Sequence, residues 1–447
     1  MTTNFSFLSK HKLHVSSSMV LIVCTVFALL CANIPVVKDW YFSLWLHDVS
    51  VSIGNFNLFS HGGHSMSTIE VINDFLMAIF FLSVGLEIKR EIRVGELSTR
   101  EKALLPIIGA CGGMLVPVLL FWLACPGDAA MQRGLAIPMA TDIAFSLGVL
   151  SVFSKRVPIG LKVFLAALAV ADDLGGIIVI ALFYSSDINF VFMGLSLACV
   201  AVMVMANLLK VRRKGFYVTA GLVLWYLMLN SGIHATIAGV VVAFCIPATL
   251  KKGTGHYLER IRSHMSKFPV IDIDEQHNAV VLTNEQIHTL KSIESAADKM
   301  ISPLQDLEDN LHFPINYIVI PLFAFANAGI DLSVMTLPSL FSGVSLAVMI
   351  GLVVGKFLGV FSFTWLAIRA KLVSLPAGTT WKAFASVCVL CGIGFTVSMF
   401  IADLSYSGLG QEGVALLNEA KLGVLCASVI SALVGCLLLN RNLPKSL

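Results

Sequence analysis

Twelve apolar stretches, each about 17–25 residues long, divide this chain, and that length is what a helix needs to cross the hydrocarbon of a bilayer. They lie near residues 19–36, 68–88, 103–124, 133–153, 160–184, 189–209, 216–231, 233–249, 313–330, 342–368, 380–402 and 416–439. The run 216–249 is divided at Asn230-Ser231-Gly232, a turn-forming trio. Composition agrees: 13% of residues are charged and 57% hydrophobic, where a soluble domain carries about 25% charge. The expected fold class is an all-α integral membrane protein with twelve transmembrane helices. The first run, Met19 to Ala32 behind Lys10 and Lys12, reads as a retained spanning helix, because eleven more follow it.

Loop charge tests this count, since Lys and Arg concentrate on the cytoplasmic side. Alternate loops hold Lys89, Arg90, Arg93, Arg100 and Lys102; then Lys155, Arg156 and Lys162; then Lys210, Arg212, Arg213 and Lys214; then Arg369, Lys371 and Lys382; then Arg441 and Lys445. The loops between hold little beyond Lys38, Arg133 and Lys421. The expected organisation is a cytoplasmic N-terminus (1–18), helices 1–8 (19–249) with an outer loop at 37–67, a long cytoplasmic loop (250–312), helices 9–12 (313–439) and a cytoplasmic C-terminus (440–447). Within the outer loop, Val49–Ile53 alternates, Gly54-Asn55 offers a turn and Phe56-Asn57-Leu58 follows, which predicts a small β-hairpin. The polar 250–312 loop predicts a surface helix over 274–298 and carries no recognisable chemistry.

Several function classes fall away. The net charge of +3 comes from short basic runs between apolar segments, not from a basic face suited to nucleic acid. The ten cysteines sit mostly in apolar runs, and Cys388-x-x-Cys391 reads as helix packing, not a redox or zinc motif. Gly355-Lys356 lacks the spacing and the Ser or Thr of a nucleotide-binding loop, so no ATP and no cofactor are expected. The energy source is then an ion gradient.

Ionisable residues inside the spans carry the argument, because each costs about 2.5–3.5 kcal/mol at the bilayer centre and normally faces a functional cavity. The fifth segment has adjacent Asp172 and Asp173 in Ala171-Asp172-Asp173-Leu174-Gly175-Gly176. Two crowded acids in an apolar helix require neutralisation by protons or by a hard cation, and hard cations choose oxygen ligands. Protons and cation therefore compete for the same atoms. A buried salt bridge is the structural alternative, but two acids need two bases, and only Lys356 in the tenth segment is a mid-membrane cation. The fourth segment carries Pro138, Thr141 and Asp142, where the proline removes a helix hydrogen bond. The eleventh carries Gly392, Gly394 and Thr396. Paired interruptions of this kind point to a transporter site, with Asp142 and Lys356 offsetting the dipoles of facing half-helices. Gly351, Gly355 and Gly359 share one helix face and predict close packing there. A solute symporter would need more varied hydrogen-bonding groups in the core, and an intramembrane aspartyl protease would need its G-x-G-D motif, which is absent.

Taken together, Ile72-Asn73-Asp74 through Gly85-Leu86-Glu87-Ile88-Lys89-Arg90-Glu91, Ala140-Thr141-Asp142, Ala171–Gly176, Pro321–Gly329 with Asn327, Gly355-Lys356 and Gly392–Thr396 resemble the bacterial NhaA sodium/proton antiporter family over nearly the whole chain. The resemblance implies inverted-topology repeats, segments 3–5 against 10–12, with segments 4 and 11 crossing as interrupted helices. It implies a Na+/Li+ and proton site at Asp172 and Asp173, with Thr141 and Asp142 beside it and Lys356 opposite. It implies electrogenic, pH-regulated exchange in a bacterial inner membrane, and a homodimer contacting through the outer hairpin. Glu87, Lys89, Arg90, Glu91, Glu308 and His312 match the pH-responsive region, and His234 matches a family histidine. Asn73, Asp74, Asn327 and Thr396 are further polar membrane residues. The chain departs from the pattern at Asp309, where a histidine is expected, and in its longer 250–312 loop.

Overall fold

The computed structural model describes residues 16–54, 56–61, 64–184, 188–249, 253–266, 268, 282–333, 341 and 343–444. Most of the expected N-terminal segment, the turn residue Asn55, much of the long loop and the last three residues lie outside the described residues.

The described chain is built almost wholly of helices. Six are long and apolar enough to cross a membrane, or eight if each of two bent pairs counts as one span. Among the described residues the twelve expected runs are not each a single long helix, for a physical reason. Helices end where backbone hydrogen bonds are interrupted, so apolar runs that look continuous become shorter pieces. The run expected at 233–249 is helical only over Ile237–Cys245. The run at 216–231 gives Lys214–Leu229. The run at 380–402 is cut into Trp381–Leu390 and Phe395–Tyr406.

Two bends define the outline. Ser17–Asn33 and Pro35–Leu46 meet at 111°, where Ile34 is extended and Pro35 opens the next helix. Ala129–Met139 and Ile143–Val152 meet at 44°. Three π-helical turns, Ile72–Leu76, Ile315–Val319 and Ile350–Gly355, interrupt otherwise continuous helices. Such turns cluster at functional sites because they re-aim the side chains that follow. The third ends immediately before Lys356.

The expected glycine face packs as predicted. Helix Arg100–Ala124 lies against the Gly343–Arg369 helix so closely that a Cβ on Gly355 would sit 2.8 Å from Pro117 Cα, and one on Gly359 would meet the Gly112 carbonyl. Gly351 faces Pro138 in the same way.

In the outer loop, Ser52–Ile53 pairs antiparallel with Phe56–Asn57 across Gly54 at φ +63°. A separate three-stranded sheet joins Asp48–Val49, His64–Ser67 and Ser60–His61. In the long loop, Asn284–Asp298 is helical behind a Thr283/Gln286 capping box. It starts later than the expected 274, and residues 269–281 lie outside the described set.

Candidate functional site

The first broken helix stops at Met139 and resumes at Ile143, with Ala140 and Asp142 in extended backbone. The second stops at Leu390 and resumes at Phe395, across Gly392 and Gly394. Gly392 is needed because a Cβ there would stand 2.5 Å from the Leu352 carbonyl oxygen of the Gly343–Arg369 helix. The two breaks are stitched together. Asp142 N–H donates to Ile393 O (2.7 Å), Thr141 Oγ1 to Cys391 O (2.9 Å), Ser146 Oγ to Leu390 O (3.1 Å) and Ser398 Oγ to Ile137 O (2.9 Å). These hydroxyls and amides satisfy carbonyls that the interruptions would otherwise leave without partners.

Asp142 caps two helix starts at once. Its Oδ1 accepts from Phe145 N (2.9 Å), and its Oδ2 accepts from Thr396 N (3.1 Å) and Thr396 Oγ1 (2.6 Å). Both N-termini point partial positive charge at this carboxylate, which offsets them. The expected dipole partner at 142 is thus in place. Lys356 behaves differently: its Nζ donates to Asp172 Oδ2 at 2.6 Å, an ion pair with both side chains buried. A carboxylate claims the lysine in place of carbonyl ends.

Asp172 and Asp173 both lie on Ile159–Phe183 and are buried, 2% and 6% exposed. The salt-bridge alternative therefore holds for one of the two acids. Asp172 Oδ1 is buried with no hydrogen-bond partner, while no basic side chain among the described residues pairs with Asp173. A buried carboxylate oxygen without a donor is costly unless something binds it. Thr141 lies beside Asp172. Four side chains expected together, Thr141, Asp142, Asp172 and Lys356, are thus assembled from three separate segments, with Thr396 tied to Asp142.

A second charged group lies near the C-terminal end of the Thr68–Val94 helix. Arg90 Nε pairs with Glu308 Oε1 at 2.9 Å and its Nη1 with Glu91 Oε1 at 3.1 Å. Burial raises the Glu308 carboxyl above its ordinary range, and Arg90 pulls it the other way. Glu87 is within electrostatic range of both this group and Asp173. Lys89, expected in the same cluster, instead turns inward to the end of Ile237–Cys245, donating to the carbonyls of Ala243 (3.3 Å), Phe244 (2.7 Å) and Ile246. An ammonium suits a helix C-terminus, where carbonyls lack partners. His312 is exposed, on the Glu308 helix.

His234 lies in the stretch between Lys214–Leu229 and Ile237–Cys245. It lines a cavity of about 1060 Å3 together with Asp74, Met114, Arg133, Tyr184 and Ser405. Two residues that the sequence reading missed join Asn73 and Asn327 nearby. Asp403 accepts from Asn73 Nδ2 (2.7 Å), and Lys421 Nζ donates to Asn327 Oδ1 (3.3 Å). Lys421, read above as an outer-loop charge, lies within the helix Gly410–Asn442. Cys388 and Cys391 are buried free thiols in the second broken helix, as packing residues would be.

A family model described as Na+/H+ antiporter 1 matches residues 9–439. The chain is 50% identical to the Na(+)/H(+) antiporter NhaA of Phocaeicola vulgatus, over 99% of this chain and 97% of that one. It is likewise 50% identical to the NhaA of Bacteroides thetaiotaomicron, over 97% and 96%, and 41% identical to that of Escherichia coli O1:K1, over 96% and 97%.

Proposed function

The chain belongs to the Na+/H+ antiporter 1 family, and from that membership we propose that it exports Na+ or Li+ in exchange for protons by letting both compete for Asp172 and Asp173. The observation that carries this reading is the buried Oδ1 of Asp172, which lies near Thr141 but makes no well-formed hydrogen bond, one residue from Asp173, which no basic side chain among the described residues pairs with. A dehydrated monovalent cation supplies the missing partner. It also neutralises the second carboxylate, and Thr141 is at hand to add an oxygen.

In this mechanism the cation arrives from the cytoplasm, displaces protons from the aspartates and frees Lys356 from part of its ion pair. The site reopens outward, releases the cation and is reset by protons. More than one proton entering per sodium leaving makes the exchange electrogenic. Asp142 supplies negative field without coordinating, since both its oxygens are committed to helix starts. The Arg90–Glu308 group, linked through Glu87, sets the pH at which the cytoplasmic mouth works. The same proposal includes twelve spans arranged as inverted repeats, an inner-membrane location with both termini cytoplasmic, and a homodimer joined at the outer hairpin.

The test uses everted membrane vesicles from cells lacking sodium export, with proton movement followed on adding sodium, lithium or potassium. The native protein should dissipate a proton gradient with sodium or lithium. Asp173→Asn should abolish the response while the protein still reaches the membrane. A normal response in that variant would overturn the assignment.

A further inference from the structure

A polar relay runs through the bundle that the exchange chemistry above does not use. Lys421 Nζ donates to Asn327 Oδ1 (3.3 Å), Asn327 Nδ2 donates to Asn73 Oδ1 (2.8 Å), and Asn73 Nδ2 donates to Asp403 Oδ2 (2.7 Å). Every donor points the same way, from ammonium to carboxylate, so the two amides transmit the attraction between the charged ends. Lys421 is also the cation whose field reaches Asp403. Asn73 and Asn327 are buried, 4% and 0% exposed. Asp74 and Glu70 are the acids whose fields meet Asp403.

The placement of these bonds matters more than their number. Asp403 lies on Phe395–Tyr406, the outer half of the second broken helix, seven residues beyond Thr396, which holds Asp142. Lys421 lies on Gly410–Asn442, the next helix in the chain, which packs along that half-helix. Asn73 and Asn327 belong to two other elements, the π-turn Ile72–Leu76 and the helix Ile320–Asn327, which pack on each other. The Asn73–Asp403 and Asn327–Lys421 bonds therefore cross a seam, and the Asn73–Asn327 bond ties one side of it together. An apolar seam would slide smoothly. A seam crossed by charge-assisted bonds has discrete stops, because parting it leaves buried polar groups bare. Replacing such a set by apolar residues is commonly neutral or stabilising, so stability alone does not call for it.

We propose that Lys421, Asn327, Asn73 and Asp403 are positioning residues that latch the second broken helix to the Asn73 and Asn327 helices, and that the latch opens each time the cation site changes sides. The proposal rests on the antiport reading for its functional consequence. The latch biases the balance between inward- and outward-facing forms, so its loss alters sodium affinity unequally from the two faces.

The test uses the full chain in oriented liposomes, with Asp403→Asn/Lys421→Met, which removes both charges together, and Asn73→Ser, which breaks the relay and touches neither. Sodium-driven proton flux gives the sodium KM from each face. Deuterium exchange of the 395–406 amides in the purified protein gives a readout that needs no transport. In both variants KM should shift by about threefold or more on one face relative to the other, and exchange over 395–406 should quicken about fivefold or more. Unchanged exchange overturns the latch. So does quickened exchange with the ratio of the two KM values unaltered, because that is a structural tie only. If the doubled variant fails to fold, Asn73→Ser decides alone on the same criteria. An unaltered protein that gives no sodium-driven flux would sink the antiport reading, and the exchange data would still judge the latch.

Discussion

Consider removing Lys356. Its ammonium meets Asp172 Oδ2 at 2.6 Å with both side chains essentially sealed from solvent. Lys356→Met keeps an apolar stem of similar length but leaves a buried carboxylate without its counter-charge. Breaking one side of a buried pair costs about 3–5 kcal/mol, most of it the desolvated charge left behind. At about 2 °C per kcal/mol for a long chain, melting should fall by about 6–10 °C. Asp172→Asn should be similarly harmful, because it strands the ammonium. The doubled variant removes both charges and leaves only an amide to satisfy, about 1–3 kcal/mol. The two changes are thus far from additive, with a coupling of at least about 3 kcal/mol. Thermal unfolding of the detergent-solubilised protein, followed by its size-exclusion profile, measures all three variants. If the doubled variant lost as much as the two single variants combined, the ion pair would not be what holds Lys356 in place.

Other expectations follow from single contacts. Gly359→Ala drives a methyl group into the Gly112 backbone, so it should cost about 1–3 kcal/mol and lower the melting point, whereas the same change at Gly176, which has open space beside it, should not. Lys89→Met orphans the carbonyl end of Ile237–Cys245 and should cost about 2–3 kcal/mol, visible as faster amide exchange in that helix. Arg90→Gln removes the influence that draws Glu308 downward. The neutral acid then persists to higher pH, and the onset of transport in everted vesicles should move up; an onset that stayed put or moved down would contradict the Arg90–Glu308 reading.

The site was more legible in the sequence than the helix count. Pro138 before Asp142, and Gly392 with Gly394, weaken a helix locally, and the chain breaks near both, although Pro106 and Pro117 are carried inside the unbroken helix Arg100–Ala124. The paired acids and the lone Lys356 stand out because membrane interiors rarely hold charge. Three things had no such mark. A π-turn needs no particular composition, so the turns at Ile72–Leu76 and Ile350–Gly355 were invisible. Lys421 lies inside the expected twelfth span, 416–439, yet its charge groups it with the outer loops; the 33-residue helix Gly410–Asn442 places it well within a helix. Asp403 sat just past an expected span end and was passed over for the same reason. Twelve apolar runs did not yield twelve long helices because hydropathy measures what a residue prefers to touch, and not whether its backbone bonds are continuous.

The doubly committed carboxylate at position 142 also limits how this architecture can change. A fixed anion shared by two chain segments cannot be exchanged for a neutral residue without unsettling both segments. Nor is it free to travel with the cargo, because each of its oxygens holds a helix start. The crossing therefore serves as a permanent counter-electrode, and variation in ion preference would have to arise one helix away, where an oxygen is still unspoken for.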